Sequence, residues 1–197
     1  MTRPTSVPVW SGSWLLHRAR KTPDAPAVEM AGRVLSYGEL REQVDAWVLA
    51  LRARGVKPGD GVAAFFENGL EWVWLLWALQ EMGATLLPLN LRFVARELAH
   101  VLSDSGARFL LYAPGEKAAV AEEAADLCPG LVRCEVRDEK PGAVFETPGR
   151  SPALRWKSDG LTDPLAILYT SGTTGRPKGV ACSHASITFG DIGRLER

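Results

Sequence analysis

Apolar residues along this chain recur at two periods that alternate. Leu40, Val44, Trp47, Val48 and Leu51 fall at the spacing of one helical face. Ser36-Tyr37-Gly38-Glu39 stands ahead of them as a capping box, in which the serine caps the first turn and the glutamate reaches back to the cap amide. Gly55 is placed to end that helix, and Lys57-Pro58-Gly59-Asp60 predicts a turn into a strand over 61–66. Asn68-Gly69 breaks the strand. Helical periodicity returns over about 70–82 and stops at Gly83, a short buried strand follows over 85–89, and a further helix over about 94–105 stops at Gly106. A strand over 108–112, an alanine-rich helix over about 116–127 and a strand over 131–136 continue the series.

Strand and helix in strict alternation, with short connections, predict an α/β fold: mostly parallel sheets with helices on both faces. The pattern fails over about 137–164, where prolines and scattered charges hold no period. That stretch reads as a long surface connection inside one unit spanning 1–197, because regular structure resumes at Leu165.

Composition narrows the function classes. Lys and Arg number 23 and Asp and Glu 23, so no basic excess points to nucleic acid. The three cysteines, Cys128, Cys134 and Cys182, form no CxxC pair and are odd in number. A disulfide framework or zinc site is therefore not expected, and a reducing cytoplasm fits. The first twelve residues carry no apolar signal core, and the run 72–79 is far shorter than the roughly 20 residues of a membrane span.

The chemistry concentrates in one segment, Tyr169-Thr170-Ser171-Gly172-Thr173-Thr174-Gly175-Arg176-Pro177-Lys178-Gly179, which follows an apolar strand. Glycines let backbone approach a ligand and aim several N–H groups at one anion. Thr170, Ser171, Thr173 and Thr174 add hydroxyl donors and Lys178 a positive charge, a composition suited to polyphosphate. It is not a Walker A loop, since Gly175 lies three residues before Lys178 and Gly179, not Ser or Thr, follows it.

This segment resembles the signature loop of the adenylate-forming superfamily, which includes acyl-CoA synthetases, peptide-synthetase adenylation domains and luciferases. Other pieces agree in order: Thr22-Pro23-Asp24-Ala25-Pro26-Ala27-Val28, Ser36-Tyr37-Gly38-Glu39-Leu40, Gly55-Val56-Lys57-Pro58-Gly59-Asp60 and Asp104-Ser105-Gly106-Ala107. The resemblance implies the N-terminal portion of an AMP-binding domain, with the rest of that domain and the C-terminal domain absent. It implies ATP-dependent activation of a carboxylic acid to an acyl-adenylate, then thioesterification to coenzyme A. Thr170, Ser171, Gly172, Thr173, Thr174, Gly175 and Lys178 would be the ATP phosphate contacts, with magnesium sharing the charge. Lys178 would position phosphate, not transfer a proton; the family's catalytic lysine belongs to a later segment, so no catalytic residue is expected here.

Within the family, Trp14-Leu15-Leu16-His17-Arg18-Ala19 resembles the opening of o-succinylbenzoate–CoA ligases, with fatty acyl-CoA synthetases as rivals. An adenylation domain loading a carrier protein and a non-catalytic remnant are the alternatives. The isolated chain is expected to be inactive in adenylation, and to self-associate through uncovered core surface. His184 is open between a neighbour of the acyl site, by resemblance, and a partly buried structural histidine. His17 and His100 read as surface or packing residues, Trp72, Trp74 and Trp77 as core, Cys182 as a small core residue, and Asn90 and Arg92 as a turn.

Overall fold

The capping box forms as its residues predict. In the computed structural model, which describes residues 12–136, 162–170 and 177–186, the Ser36 hydroxyl accepts the Glu39 amide at 3.2 Å and the Glu39 carboxylate accepts the Ser36 amide at 2.8 Å. Two of the amides that every helix start leaves without a partner are thereby satisfied. They launch a helix over Tyr37–Ala53, whose buried stripe is Leu40, Val44, Trp47, Val48, Ala50 and Leu51. It ends where Gly55 takes a φ of 88° and the Val56 amide returns to the Leu51 carbonyl at 3.1 Å. Only glycine enters that left-handed turn without strain. The following turn closes on Asp60, whose carboxylate accepts the Lys57 amide at 2.8 Å.

Two elements precede this helix that the hydrophobic pattern did not reveal. The first, α1 (Gly12–Lys21), leans on the second helix through Leu15, which is 1% exposed, and its Arg18 guanidinium lies 4.9 Å from the centre of the Tyr37 ring. One anchor makes no periodic stripe. The second is an antiparallel hairpin, β1 (Pro26–Met30) and β2 (Arg33–Ser36), whose two-residue turn has positive φ at Ala31 and Gly32. That is the type I′ geometry which Asn-Gly or Asp-Gly normally announces. Ala31 in the first position hides it.

Numbering onward, α2 is Tyr37–Ala53, β3 Gly61–Phe65, α3 Leu70–Met82, β4 Thr85–Pro88, α4 Ala95–Ser105, β5 Phe109–Tyr112, α5 Ala118–Asp126, β6 Val132–Glu135, β7 Pro164–Thr170 and β8 Lys178–Ser183. Between α2 and β6 every element falls within about two residues of its predicted place. The Val94 amide at the head of α4 is accepted by the Glu97 carboxylate at 3.1 Å; valine has no oxygen to return the bond, so only half a capping box forms.

Among the described residues six strands form one sheet in the order β6-β5-β3-β4-β7-β8. All neighbours are parallel except β7 and β8. Alternation along the strands splits the core in two. Val62, Ala64, Leu86, Phe109 and Leu111 face α2 and α3, while Ala63, Phe65, Leu87, Leu110 and Tyr112 face α4 and α5. Helices therefore cover both faces, as a parallel sheet requires. Among the described residues no helix is long and apolar enough to cross a membrane.

Candidate functional site at the carboxyl ends of the strands

The chain winds in two directions from β3. It passes through α3 on one face to β4, then through α4 on the other face to β5, on the far side of β3. The connections leaving β3 and β4 thus part to opposite faces and open a crevice at the carboxyl ends of those strands, the switch point at which open α/β sheets bind ligands. Its volume is about 670 Å³, within the range of small-molecule sites. Phe66, Glu67, Asn68 and Trp72 line it from the β3 side, Pro88 to Arg92 from the β4 side, and Leu168 and Tyr169 from β7.

Each wall is locally fixed. The Trp72 indole donates to the Glu67 carbonyl at 3.0 Å, and its ring lies 4.8 Å from that of Phe66 at 45°. Trp74 is a core residue, 1% exposed, as its spacing predicts, but Trp72 divides its surface between the core and the crevice. The Asn90 side-chain oxygen accepts the Arg92 amide at 3.0 Å, and the Asn90 carbonyl accepts the Phe93 amide at 3.0 Å. Asn90 and Arg92 therefore do form a turn, and that turn is a crevice wall.

β7 runs parallel to β4, so its carboxyl end, Thr170, reaches the same edge of the sheet. β8 returns antiparallel with Thr170 opposite Lys178 and Tyr169 opposite Gly179. The structure thus brings together the two described members of the expected phosphate set: Thr170 and Lys178 are adjacent across the ladder, and both are exposed. Ser171, Gly172, Thr173, Thr174 and Gly175 lie outside the described residues.

The close pairing explains the glycine after the lysine. A Cβ on Gly179 would sit 2.9 Å from Cζ of Tyr169 and 3.2 Å from Cγ2 of Ile167, so the tyrosine ring lies directly on glycine backbone. The Tyr169 hydroxyl donates to the Asp104 carboxylate at 2.6 Å. Burial, and then the Asp104 carboxylate, push this phenol above the usual tyrosine range. Neither partner stood out in the sequence by composition, although Tyr169 heads the signature segment and Asp104 lies in another of the segments that carry the family resemblance.

His184 is 2% exposed and stands at the other end of the strand pair, about 20 Å along β8 from Lys178. The structure does not bring it to the crevice. Its amide donates to the Asp163 carbonyl at 3.1 Å, and burial holds its imidazole below the usual range against the opposing pull of Asp163. Ser183 caps the turn that follows, accepting the Ser186 amide at 3.2 Å. His17 is exposed and His100 half-buried. Cys128 and Cys134 are buried, whereas Cys182 is half-buried, because the strand carrying it ends the described sheet with much of its surface open.

This arrangement has known relatives. The family described as AMP-binding enzyme matches residues 15–192. A feruloyl-CoA synthase from Amycolatopsis is 38% identical over 93% of this chain and 35% of its own length. A 2-succinylbenzoate–CoA ligase from Geobacillus kaustophilus is 35% identical over 92% of this chain and 34% of its own. The ATP-bound crystal structure of MatB from Rhodopseudomonas palustris superposes with a TM-score of 0.80 at 28% identity, over 94% of this chain and 37% of that one. The chain therefore spans about a third of the length of these relatives. With a matching fold and a family match across residues 15–192, the chain belongs to the AMP-binding enzyme family.

Proposed function

We propose that this chain is the ATP phosphate-binding part of an AMP-forming acid–CoA ligase. The observation that carries the proposal is the placing of Thr170 and Lys178 opposite each other where β7 ends, beside the switch-point crevice. The run of residues joining them is the glycine- and hydroxyl-rich segment 171–176. Names of relatives, a feruloyl-CoA synthase and a 2-succinylbenzoate–CoA ligase, support the reaction class.

In that reaction a carboxylate oxygen of the acid attacks the α-phosphorus of ATP. The new bond joins that oxygen to phosphorus, the bond from the α-phosphorus to the bridging oxygen breaks, and pyrophosphate leaves with the electron pair. The sulfur of coenzyme A then bonds to the acyl carbon, the bond from that carbon to the phosphate oxygen breaks, AMP leaves with the electron pair, and the thiol proton passes to solvent. The task of this chain is electrostatic: Lys178, the Thr170 hydroxyl and the donors of Ser171 to Gly175 hold the departing phosphates and stabilise the charge that builds on them. Lys178 acts there as a point charge, not as an acid or base.

Magnesium fits as a companion of the phosphates, neutralising their charge, because it keeps several waters and takes few protein ligands. Among the described residues no three His, Cys, Asp or Glu side chains converge to cage it.

Calorimetry of the purified chain with ATP and magnesium tests the reading. Saturable binding that Lys178→Ala weakens is expected; no heat of binding in the parent chain would sink it and leave the remnant alternative. Acid-dependent exchange of pyrophosphate into ATP, run with ferulate, 2-succinylbenzoate and fatty acids, tests whether this chain completes adenylation. Product formation with coenzyme A or with a phosphopantetheinyl carrier identifies the acceptor.

A further inference from the structure

We infer that Asp104 is a positioning residue for Thr170 and Lys178 at the base of the phosphate loop: by holding the Tyr169 hydroxyl it fixes the strand ends that carry them. The inference rests on the phosphate reading of that loop.

Three observations lead to it. Asp104 lies in the last turn of α4, where a carboxylate meets the negative end of the helix dipole and weakens the helix that carries it. No basic residue in that turn offsets it. Its place there calls for a reason outside the helix, and the described reason is the 2.6 Å hydrogen bond from a tyrosine 65 residues further along the chain. A phenol donating to a carboxylate makes one of the stronger hydrogen bonds available to a protein.

Tyr169, secondly, is held twice. Its ring lies on the backbone of Gly179, where no Cβ could fit without displacing it, and its hydroxyl is held by Asp104. The next pair along the ladder is Thr170 and Lys178, from which the loop departs. Fixing Tyr169 therefore fixes both ends of the loop.

Thirdly, the anchor is rigid although Asp104 itself is exposed. Leu98, Val101 and Leu102 of the same helix are buried to within 1% of complete. The bond thus couples the loop base to the core. Thr170 and Lys178 stand on the next rung of the same ladder, so a fixed Tyr169 holds both in place before any ligand arrives. Placing binding groups beforehand lowers the ordering cost of binding and raises affinity without touching the ligand.

The test is calorimetric titration of the purified chain with ATP and magnesium, alongside thermal melting, for the parent, Asp104→Ala, Asp104→Asn, Tyr169→Phe and the Asp104→Ala/Tyr169→Phe double variant. Asp104→Ala and Tyr169→Phe should each weaken ATP binding about tenfold. The double variant should be no worse than either single one, because both remove the same bond. Asp104→Asn, whose amide oxygen still accepts the phenol, should recover most of the affinity. Melting temperatures should stay near that of the parent, since Asp104 is exposed.

Unchanged ATP affinity in Asp104→Ala, with or without a lower melting temperature, would overturn the inference. So would an Asp104→Asn variant as weak as the alanine one. A parent chain that binds no ATP would overturn the phosphate reading and the inference with it, and that outcome is visible before any variant is made.

Discussion

The central strands and the β7–β8 hairpin belong to one sheet but are built on opposite terms. All four residues of β5 are buried, and four of five in β3. In β8, Lys178, Gly179, Val180 and Ala181 are all exposed. The central strands bury side chains on both faces and present to a ligand only their carboxyl ends, Pro88 of β4 among them, and the connections that follow. The hairpin has one closely packed partner and an open flank, on which Leu168 and Val180 stand opposite each other, 44% and 53% exposed. It is free to carry charge and hydroxyl groups. Position and chemistry are thus supplied by different parts of the chain, which meet at the crevice.

The sharpest break in that comparison comes from the core. Trp47, fully buried between α2 and the sheet, should cost about 3–5 kcal/mol of stability when cut to alanine, since a large cavity is left behind. Urea unfolding measures it. If the two regions divide their work as argued, ATP affinity under folding conditions should stay within a few-fold of the parent. A large loss of affinity at unchanged fold would show that the helix layer reaches the site directly.

Lys178→Ala is the mirror experiment. The side chain is exposed, so melting should hardly move, whereas removing a charged partner of phosphate should weaken ATP binding by about tenfold to a hundredfold. Lys178→Arg should restore part of it, because the charge returns with a different geometry. Titration of both variants with ATP and magnesium reads the difference; an alanine variant that binds like the parent would remove Lys178 from the phosphate set.

The same division explains what the sequence disclosed. The central α/β series was legible because α2, α3 and α4 each bury apolar residues at helical spacing and stop at a glycine with a physical reason to be there, at Gly55, Gly83 and Gly106. The loop stood out because its composition is local: hydroxyls, glycines and a lysine within eleven residues. What stayed hidden depends on contacts across the chain. Helix α1 has a single buried anchor, the β1–β2 turn uses Ala31 where Asn or Asp would have marked it, and the antiparallel return of β8 follows from no period. The role of Asp104 could not be read from its own neighbours, since its partner Tyr169 lies 65 residues away. Trp72 likewise turns from core residue to crevice wall only when β3 and β4 are placed side by side.

Gly179 tests how tightly the hairpin is closed. Gly179→Ala sets a methyl group 2.9 Å from Cζ of a ring that Asp104 holds in place, so the ring must shift. The expected cost is about 1–3 kcal/mol of stability, the usual range for overpacking, together with weaker ATP binding as the loop base moves. Melting and titration on one sample measure both. A variant that keeps full stability and full affinity would mean that the ring yields freely, and the contrast between a rigid base and an open flank would fail.

The smallest effect belongs to His184, at the buried foot of the hairpin. Burial lowers its pKa in the folded state below the ordinary value near 6.5. Between those two values the unfolded chain binds a proton that the folded chain does not, so stability is full above about pH 6.5 and is lost as the pH falls toward the folded pKa, with a slope of at most about 1.4 kcal/mol per pH unit. His184→Gln should flatten that part of the profile, and urea unfolding at a series of pH values compares the slopes. Carboxylates that titrate lower are common to both proteins and cancel in the difference. The nucleotide decides what kind of residue this is. If the slope flattens and ATP affinity holds, His184 serves the foot of the hairpin, as its distance from Lys178 suggests; if ATP affinity falls while stability at neutral pH is kept, it belongs with the ligand site.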